Sequence, residues 1–146
     1  RGPNVTVGYW QNPEASARTM NGSWLKTGDG GHLDEDGFLF IADRIKDMII
    51  TGGENVYPAE VESVLFEHPA ILEIAVIGTG DPKWGERVCA VATLHEGAEL
   101  TLESLRDFGG GRLARYKLPL QLEIVDALPR NATGKVLKTE LRKRFV

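Results

Sequence analysis

DRIKDMIITGGEN, Asp43 to Asn55, decides how the rest of the chain is read. Charges crowd its start around a joint, and Met48, Ile49 and Ile50 then make a short apolar strand. Gly52-Gly53 follows as a sharp loop whose backbone can approach a ligand closely, because neither residue carries a Cβ. Pro58 suits the first turn of a helix, and the segment it opens places Val61, Val64 and Leu65 on one face. Strand, turn and helix require no chemistry by themselves. The neighbouring stretches supply it.

Composition bounds the possibilities. A chain of 146 residues that is 42% hydrophobic can bury one core, and its length predicts one domain. A net charge of -4 excludes a general nucleic-acid binder. No apolar run approaches the ~18 residues of a membrane span, and no stretch at the start has a signal-peptide pattern. The lone cysteine, Cys89, lies in the apolar run Val88 to Leu94 and is expected to be a buried thiol. That predicts a cytoplasmic protein without disulfides. The histidines and the cysteine are widely scattered and give no metal-ligand spacing, so no metal site is expected.

Upstream of the joint, Arg1-Gly2-Pro3-Asn4 has no initiator methionine and runs into loop-like sequence, which predicts a piece of a longer chain. Asn12-Pro13-Glu14 starts a short helix over Ala15 to Met20, Asn21-Gly22 is a turn, and Trp24-Leu25 begins an extended segment. Apolar runs on either side of Asp36-Gly37 predict a β-hairpin, with a strand over Phe38 to Ile41. Downstream, Ile71 to Ile77 and Arg87 to His95 read as an antiparallel pair of strands. Leu102, Leu105 and Phe108 mark a helix that runs into Gly109-Gly110-Gly111. Gln121 to Val125 is a third strand, and Val136 to Phe145 a closing helix with Leu137, Leu141 and Phe145 on one face. The fold class is α+β, a three-stranded sheet packed by three helices, preceded by a β-rich segment.

Thr27-Gly28-Asp29, the Asp43 to Asn55 block and Arg130-Asn131-Ala132-Thr133-Gly134-Lys135 now stand out together. In this order and spacing they resemble the carboxyl-terminal part of adenylate-forming enzymes, specifically acyl-CoA synthetases. GYWQNPEASA, GSWLKTGD, DGFLFIADRIKDMIITGGENVYPAEVE, HPAI and LPRNATGKVLKTELR each look like signature stretches of that family. TGD or TGK alone would be weak. The ordered set is specific and covers nearly the whole chain.

The resemblance implies a reaction in two steps. A carboxylic acid and ATP, with magnesium, give an acyl-adenylate and pyrophosphate, and the CoA thiol then displaces AMP. It also implies that residues 1–43 are the tail of a large amino-terminal domain and 44–146 a small mobile one. The partners expected are the acid, ATP, CoA and the protein's own amino-terminal domain, with no nucleic acid. The family's Ser/Thr/Gly-rich phosphate loop is not in this sequence, so these residues alone are not expected to catalyse the overall reaction.

By the same resemblance, Asp29 accepts hydrogen bonds from the ribose hydroxyls of the nucleotide, whose cis-diol matches two carboxylate oxygens. The plainer alternative is a turn aspartate capping its own backbone. Arg44 would contact the nucleotide ribose or phosphate; otherwise it forms a surface pair with Asp43 or Asp47. Lys46 matches the hinge that absorbs a backbone rotation, against a merely solvated lysine. Lys135 would stand against the carboxylate and α-phosphate oxygens during adenylation, where a fixed ammonium stabilises developing charge. It is no Walker lysine: Pro129 stands where that motif needs its first glycine, and Val136 follows the lysine. Thr133 is expected to cap the closing helix. Gly52 and Gly53 would line the pantetheine tunnel, with Trp84 at its mouth. Arg112, Arg115, Tyr116 and Lys117 would take the CoA nucleotide and phosphates, unless they form an ordinary solvated helix end.

Three departures from the family pattern matter. Gly30 stands where a leucine is common, and the segment after Pro119 lacks a basic residue. Gly109-Gly110-Gly111 interrupts a helix, where three interior glycines would cost roughly 3 kcal/mol against alanine. The reading that follows is an acid–CoA ligase, most like those for fatty or aromatic acids. The alternatives are an adenylation module loading a carrier protein and a non-catalytic binding module of the same fold.

Overall fold

The computed structural model describes residues 2–145. The chain divides between Ile45 and Lys46 into two compact units.

In the first unit, helix α1 (Pro13–Thr19) has proline in its first turn and is capped by Asn12, whose side chain accepts the Ala15 N–H at 3.0 Å. β1 (Met20–Asn21) and β2 (Trp24–Leu25) pair across the Asn21-Gly22 turn. β3 (Asp29–Leu33) and β4 (Leu39–Arg44) form the hairpin expected around Asp36-Gly37. Asp34 organises its turn, its carboxylate accepting the Asp36 and Phe38 N–H groups at 3.1 and 2.8 Å. None of the unit's described residues is buried, and Leu39, Phe40 and Ile41 on β4 are all at least half exposed.

The second unit carries the core. Its elements are β5 (Ile49–Thr51), β6 (Glu54–Val56), α2 (Pro58–Leu65), β7 (Ile71–Asp81), β8 (Gly85–Leu94), α3 (Leu102–Gly109), β9 (Gln121–Ile124) and α4 (Lys138–Phe145). The α+β class stands, but the sheet has five strands, ordered β6-β5-β8-β7 with β9 parallel to β8. The extra pair comes from the opening stretch. Gly52 and Gly53 have φ of +59° and +88°, the geometry of a two-residue hairpin turn, so the chain folds back and Ile49 pairs with Val56. What the sequence suggests is a strand and a loop is a strand, a turn and a second strand.

β7 and β8 are buried on both faces, which explains their continuous apolar runs. Val76, Val88 and Ala90 point to one side, against Val61 and Leu65 of α2 and Leu105 of α3. Ala75, Ile77, Cys89 and Val91 point to the other, against Leu141 of α4, Val125 and Leu128. Each fully buried aliphatic side chain contributes about 1.5–3 kcal/mol relative to exposure. Among the described residues β7 pairs with no strand but β8, and Glu62 of α2 covers its outer edge, accepting the Val76 N–H at 2.7 Å. Lys138 of α4 pairs with the same carboxylate at 2.7 Å.

Two expectations are corrected. Only Gly109 lies inside α3; Gly110 is the C-cap and Gly111 lies beyond it. A Cβ on Gly109 would stand 2.9 Å from Leu118 Cδ2 and 3.1 Å from Leu65 Cδ2, so close packing asks for glycine there. The cost falls to one interior glycine, about 1 kcal/mol. The closing helix starts at Lys138, not Val136, because Val136 is bridged to Arg130 in extended conformation. Thr133 therefore does not cap it; its hydroxyl donates to Asn131 Oδ1 at 2.8 Å.

Candidate functional site

In the first unit the two residues expected to hold the nucleotide face each other. Asp29 and Arg44 are directly paired across the β3–β4 ladder, with Arg44 Nη1 donating to Asp29 Oδ1 at 2.6 Å and to the Thr27 carbonyl at 3.0 Å. Asp43 accepts the Arg44 backbone N–H at 2.7 Å, and Asp47 pairs with Arg142. Both side chains stay partly open to solvent, so the carboxylate and guanidinium form a polar edge that can meet a sugar diol and a phosphate.

Lys46 is the first residue of the second unit and lies exposed in a short 3-10 turn, Ile45–Asp47. The next residue, Asp47, is tied to Arg142 of α4 at 2.9 Å. The turn is thus anchored immediately after Lys46.

Lys135 is exposed on the loop between Arg130 and Val136. Its ammonium enters no hydrogen bond or ion pair among the described residues, whereas Lys117, Lys138 and Lys143 are each held by a glutamate. An unengaged cation on an ordered loop is free to meet an anion.

A cleft of about 400 Å³ in the second unit brings together Gly52, Trp84, Arg115 and Tyr116. Gly52 donates its N–H to the Trp84 carbonyl at 2.9 Å, and a Cβ on it would stand 2.9 Å from the indole Cε3. Glycine at 52 is therefore what lets the ring lie against the turn. Trp84 sits in the β7–β8 turn, where Asp81 accepts the Lys83 and Trp84 N–H groups, both at 2.9 Å. Those bonds, that from Trp84 foremost, hold the Asp81 carboxyl below its ordinary value of 3.8. Gly53 is not part of the cleft lining; a Cβ there would meet nothing within 4 Å. Arg112 and Lys117 are turned to α2 and its C-terminal end, pairing with Glu67 and Glu60 at 2.6 Å each. The basic cluster read in the sequence is thus divided, Arg115 and Tyr116 to the cleft and the other two to ion pairs.

Sequence reasoning missed Glu54 and Arg106 in the cleft wall. It also missed Asn131 and the Arg130–Glu73 pair beneath Lys135. The Asn-x-Thr-Gly spacing announces a side-chain-organised turn. A pair 57 residues apart leaves no local signal. Among the described residues no cluster of three or more His, Cys, Asp or Glu side chains is set to hold a metal ion.

Comparison with known proteins identifies the family. The family pattern of the AMP-binding enzyme C-terminal domain matches residues 60–135. A 2-succinylbenzoate–CoA ligase of Geobacillus kaustophilus is 52% identical over 143 residues, covering 98% of this chain and 29% of its own length. A long-chain-fatty-acid–CoA ligase of Mycobacterium tuberculosis is 49% identical over 137 residues, 94% of this chain and 27% of that protein. The o-succinylbenzoate CoA synthetase of Bacillus subtilis, solved with its acyl-adenylate intermediate, superposes with a TM-score of 0.91 at 46% identity, over 97% of this chain and 29% of that one. The chain thus spans less than a third of the length of the relatives it matches. Since the match spans more than half of the chain and the fold superposes over nearly all of it, the chain belongs to the AMP-binding enzyme C-terminal domain family of the adenylate-forming superfamily.

Proposed function

We propose that these residues form the carboxyl-terminal part of an acid–CoA ligase. In the first step a carboxylate oxygen attacks the α-phosphorus of ATP and the bond to pyrophosphate breaks, giving an acyl-adenylate. In the second the CoA sulfur attacks the acyl carbon, the thiol proton goes to solvent, and AMP leaves with its phosphate oxygen. Residues 1–43 act as the tail of the large nucleotide-binding domain, and 44–146 as the mobile one. The exposed apolar face of β4 suits burial against the rest of the large domain, the partner this reading assigns it. The acid pocket and phosphate loop lie in that domain, so these residues alone do not turn over.

The carrying observation is Lys135: an ammonium unpaired among the described residues, on an ordered, exposed loop. An ammonium about 4 Å from a phosphate oxygen at an effective dielectric near 20 is worth about 4 kcal/mol before desolvation. In this reading it faces the reacting phosphate only during adenylation. Lys46 is the hinge about which the small domain then turns, and the cleft of Gly52, Trp84, Arg115 and Tyr116 comes to serve CoA in the second step. Trp84 offers a face for the adenine or pantetheine and Arg115 a charge for phosphate, while Gly53 leaves the passage beside them open. Arg112 and Lys117 are the outer members of that site, reached if their glutamate pairs exchange for phosphate.

Fatty or aromatic acids are the proposed substrates, since the relatives are named for 2-succinylbenzoate and long-chain fatty acids. The cleft's aromatic face and cation favour CoA over a carrier protein. A cytoplasmic setting suits the single buried thiol.

The test is Lys135→Ala in the full-length enzyme. Losing a preorganised stabiliser of developing charge costs roughly a hundred- to a thousand-fold in rate. Adenylation should fall by that much, while thioester formation from chemically supplied acyl-adenylate stays near normal. Normal adenylation by the variant would overturn the reading.

A further inference from the structure

Both backbone polar groups of Lys135 end on one residue. Its N–H donates to Asn131 Oδ1 at 2.8 Å, and its carbonyl accepts the Asn131 N–H at 2.9 Å. The same Oδ1 takes the Thr133 N–H at 3.1 Å and the Thr133 hydroxyl at 2.8 Å. Gly134, with φ of +83°, turns the chain and donates its N–H to the Asn131 carbonyl at 2.9 Å. The loop is anchored from outside as well. The Arg130 guanidinium donates to the Gly134 carbonyl and pairs with the Glu73 carboxylate on β7. Every bond described lies on the backbone side of Lys135, and the ammonium is left out of all of them.

Such an arrangement is more than a closed turn requires. Two of these groups would close the loop; here a single carboxamide oxygen collects three donors, one of them the Lys135 N–H, and a guanidinium fastens the adjacent carbonyl to the sheet. A flexible four-carbon side chain gains little from a good position unless its Cα is fixed, since lysine carries no pre-organised fork of its own. We infer that Asn131, backed by the Arg130–Glu73 pair, is the positioning residue for Lys135: it sets where the ammonium stands when charge develops on the phosphate. This rests on the reading of Lys135 given above. Asn131 acts through the lysine and touches no substrate. A displacement of about 1 Å in a catalytic group can cost on the order of a hundred-fold in rate, so a side-chain oxygen that fixes the Lys135 N–H, on a residue whose own N–H holds the Lys135 carbonyl, belongs to the machinery of the step.

The experiment uses the full-length enzyme and times the half-reactions separately, adenylation by pyrophosphate exchange and thioester formation from supplied acyl-adenylate. Asn131→Ala should lower the adenylation kcat by on the order of a hundred-fold, with the KM for ATP and the second step little changed. Asn131→Asp keeps an acceptor oxygen in place and should recover most of that loss. Placed on Lys135→Ala, Asn131→Ala should cost no more than about three-fold further, because residues acting as one unit are not additive. Glu73→Gln, which weakens the outer anchor, should give a smaller loss in the same direction. Normal adenylation by Asn131→Ala overturns the inference. So does an equal loss of both half-reactions, or a full further loss on the lysine variant, since each marks a loop that merely supports the fold. If Lys135→Ala itself adenylates normally, the reading of Lys135 falls first and this inference with it.

Discussion

Asp29 gives one carboxylate oxygen to Arg44, and in the function proposed above the other is left for the nucleotide. The pair is partly exposed, so it contributes only about 0–1 kcal/mol to stability, and replacing Asp29 should leave the fold intact. Its proposed value is in binding. A hydrogen bond to a charged group is worth about 1.5–3 kcal/mol, and each 1.4 kcal/mol is ten-fold in affinity. Asp29→Ala in the full-length enzyme should therefore raise the KM for ATP by roughly ten- to a hundred-fold. The specific check is 2′-deoxy-ATP: the parent enzyme should discriminate against it and the variant should not. Equal discrimination by both would assign Asp29 to the turn alone. The family resemblance nominates both residues but misses their partnership. Register decides that. A bulge between Gly30 and Gly31 brings Asp29 opposite Arg44, and a Cβ on Gly31 would lie 2.3 Å from the Phe40 carbonyl oxygen. No propensity rule locates such a bulge. Gly30, which stands where a leucine is common in the family pattern, pairs with Asp43 on the ladder.

The Gly52-Gly53 turn shows how an element can have two reasons for one residue type. The sequence suggests open space for a ligand chain; the positive φ angles supply a second reason, the hairpin itself. A non-glycine residue in the left-handed region costs about 1–2 kcal/mol, less for asparagine, which visits it more readily. Gly53→Asn should thus be tolerated in both half-reactions of the full-length enzyme. Gly53→Trp carries comparable strain and adds bulk toward open space, and should slow thioester formation by about ten-fold or more while sparing adenylation. Equal behaviour of the two variants would make the turn purely structural. Where local pattern is strong, the elements are legible: α2, α3, the β7–β8 pair and β9 all fall close to where periodicity puts them. β6 is not, because Glu54, Asn55 and Val56 show no alternation of their own and become a strand only by pairing with β5. The start of α4 shifts for a similar reason, Val136 being taken by its bridge to Arg130.

Across the whole molecule, the lone cysteine tests the packing of the second unit. Burial pushes the Cys89 thiol up to about 12, and the residue lies between Ala75, Ile77 and Leu141 in the core. Because the thiolate is the reactive form, Cys89 should resist aromatic disulfide reagents at neutral pH in the folded chain and react at once in denaturant. Rapid reaction without denaturant would mean that the face of the sheet under α4 opens. The core and the fold class were readable because alternation and apolar runs record burial directly. The cleft was only half readable, since Trp84, Arg115 and Gly52 meet through turns far apart in the chain.

The carboxylate of Glu62 on the outer edge of β7 also bears on how folded copies behave in crowded solution. An 11-residue strand with a bare edge is a template on which another chain can continue the sheet. By occupying the Val76 N–H and being held there by Lys138, Glu62 places a charge where an incoming strand would need a carbonyl. α2 thus blocks one hydrogen-bonding position on the exposed edge of the sheet. In the folded chain that buttressed charge disfavours edge-to-edge pairing of two copies.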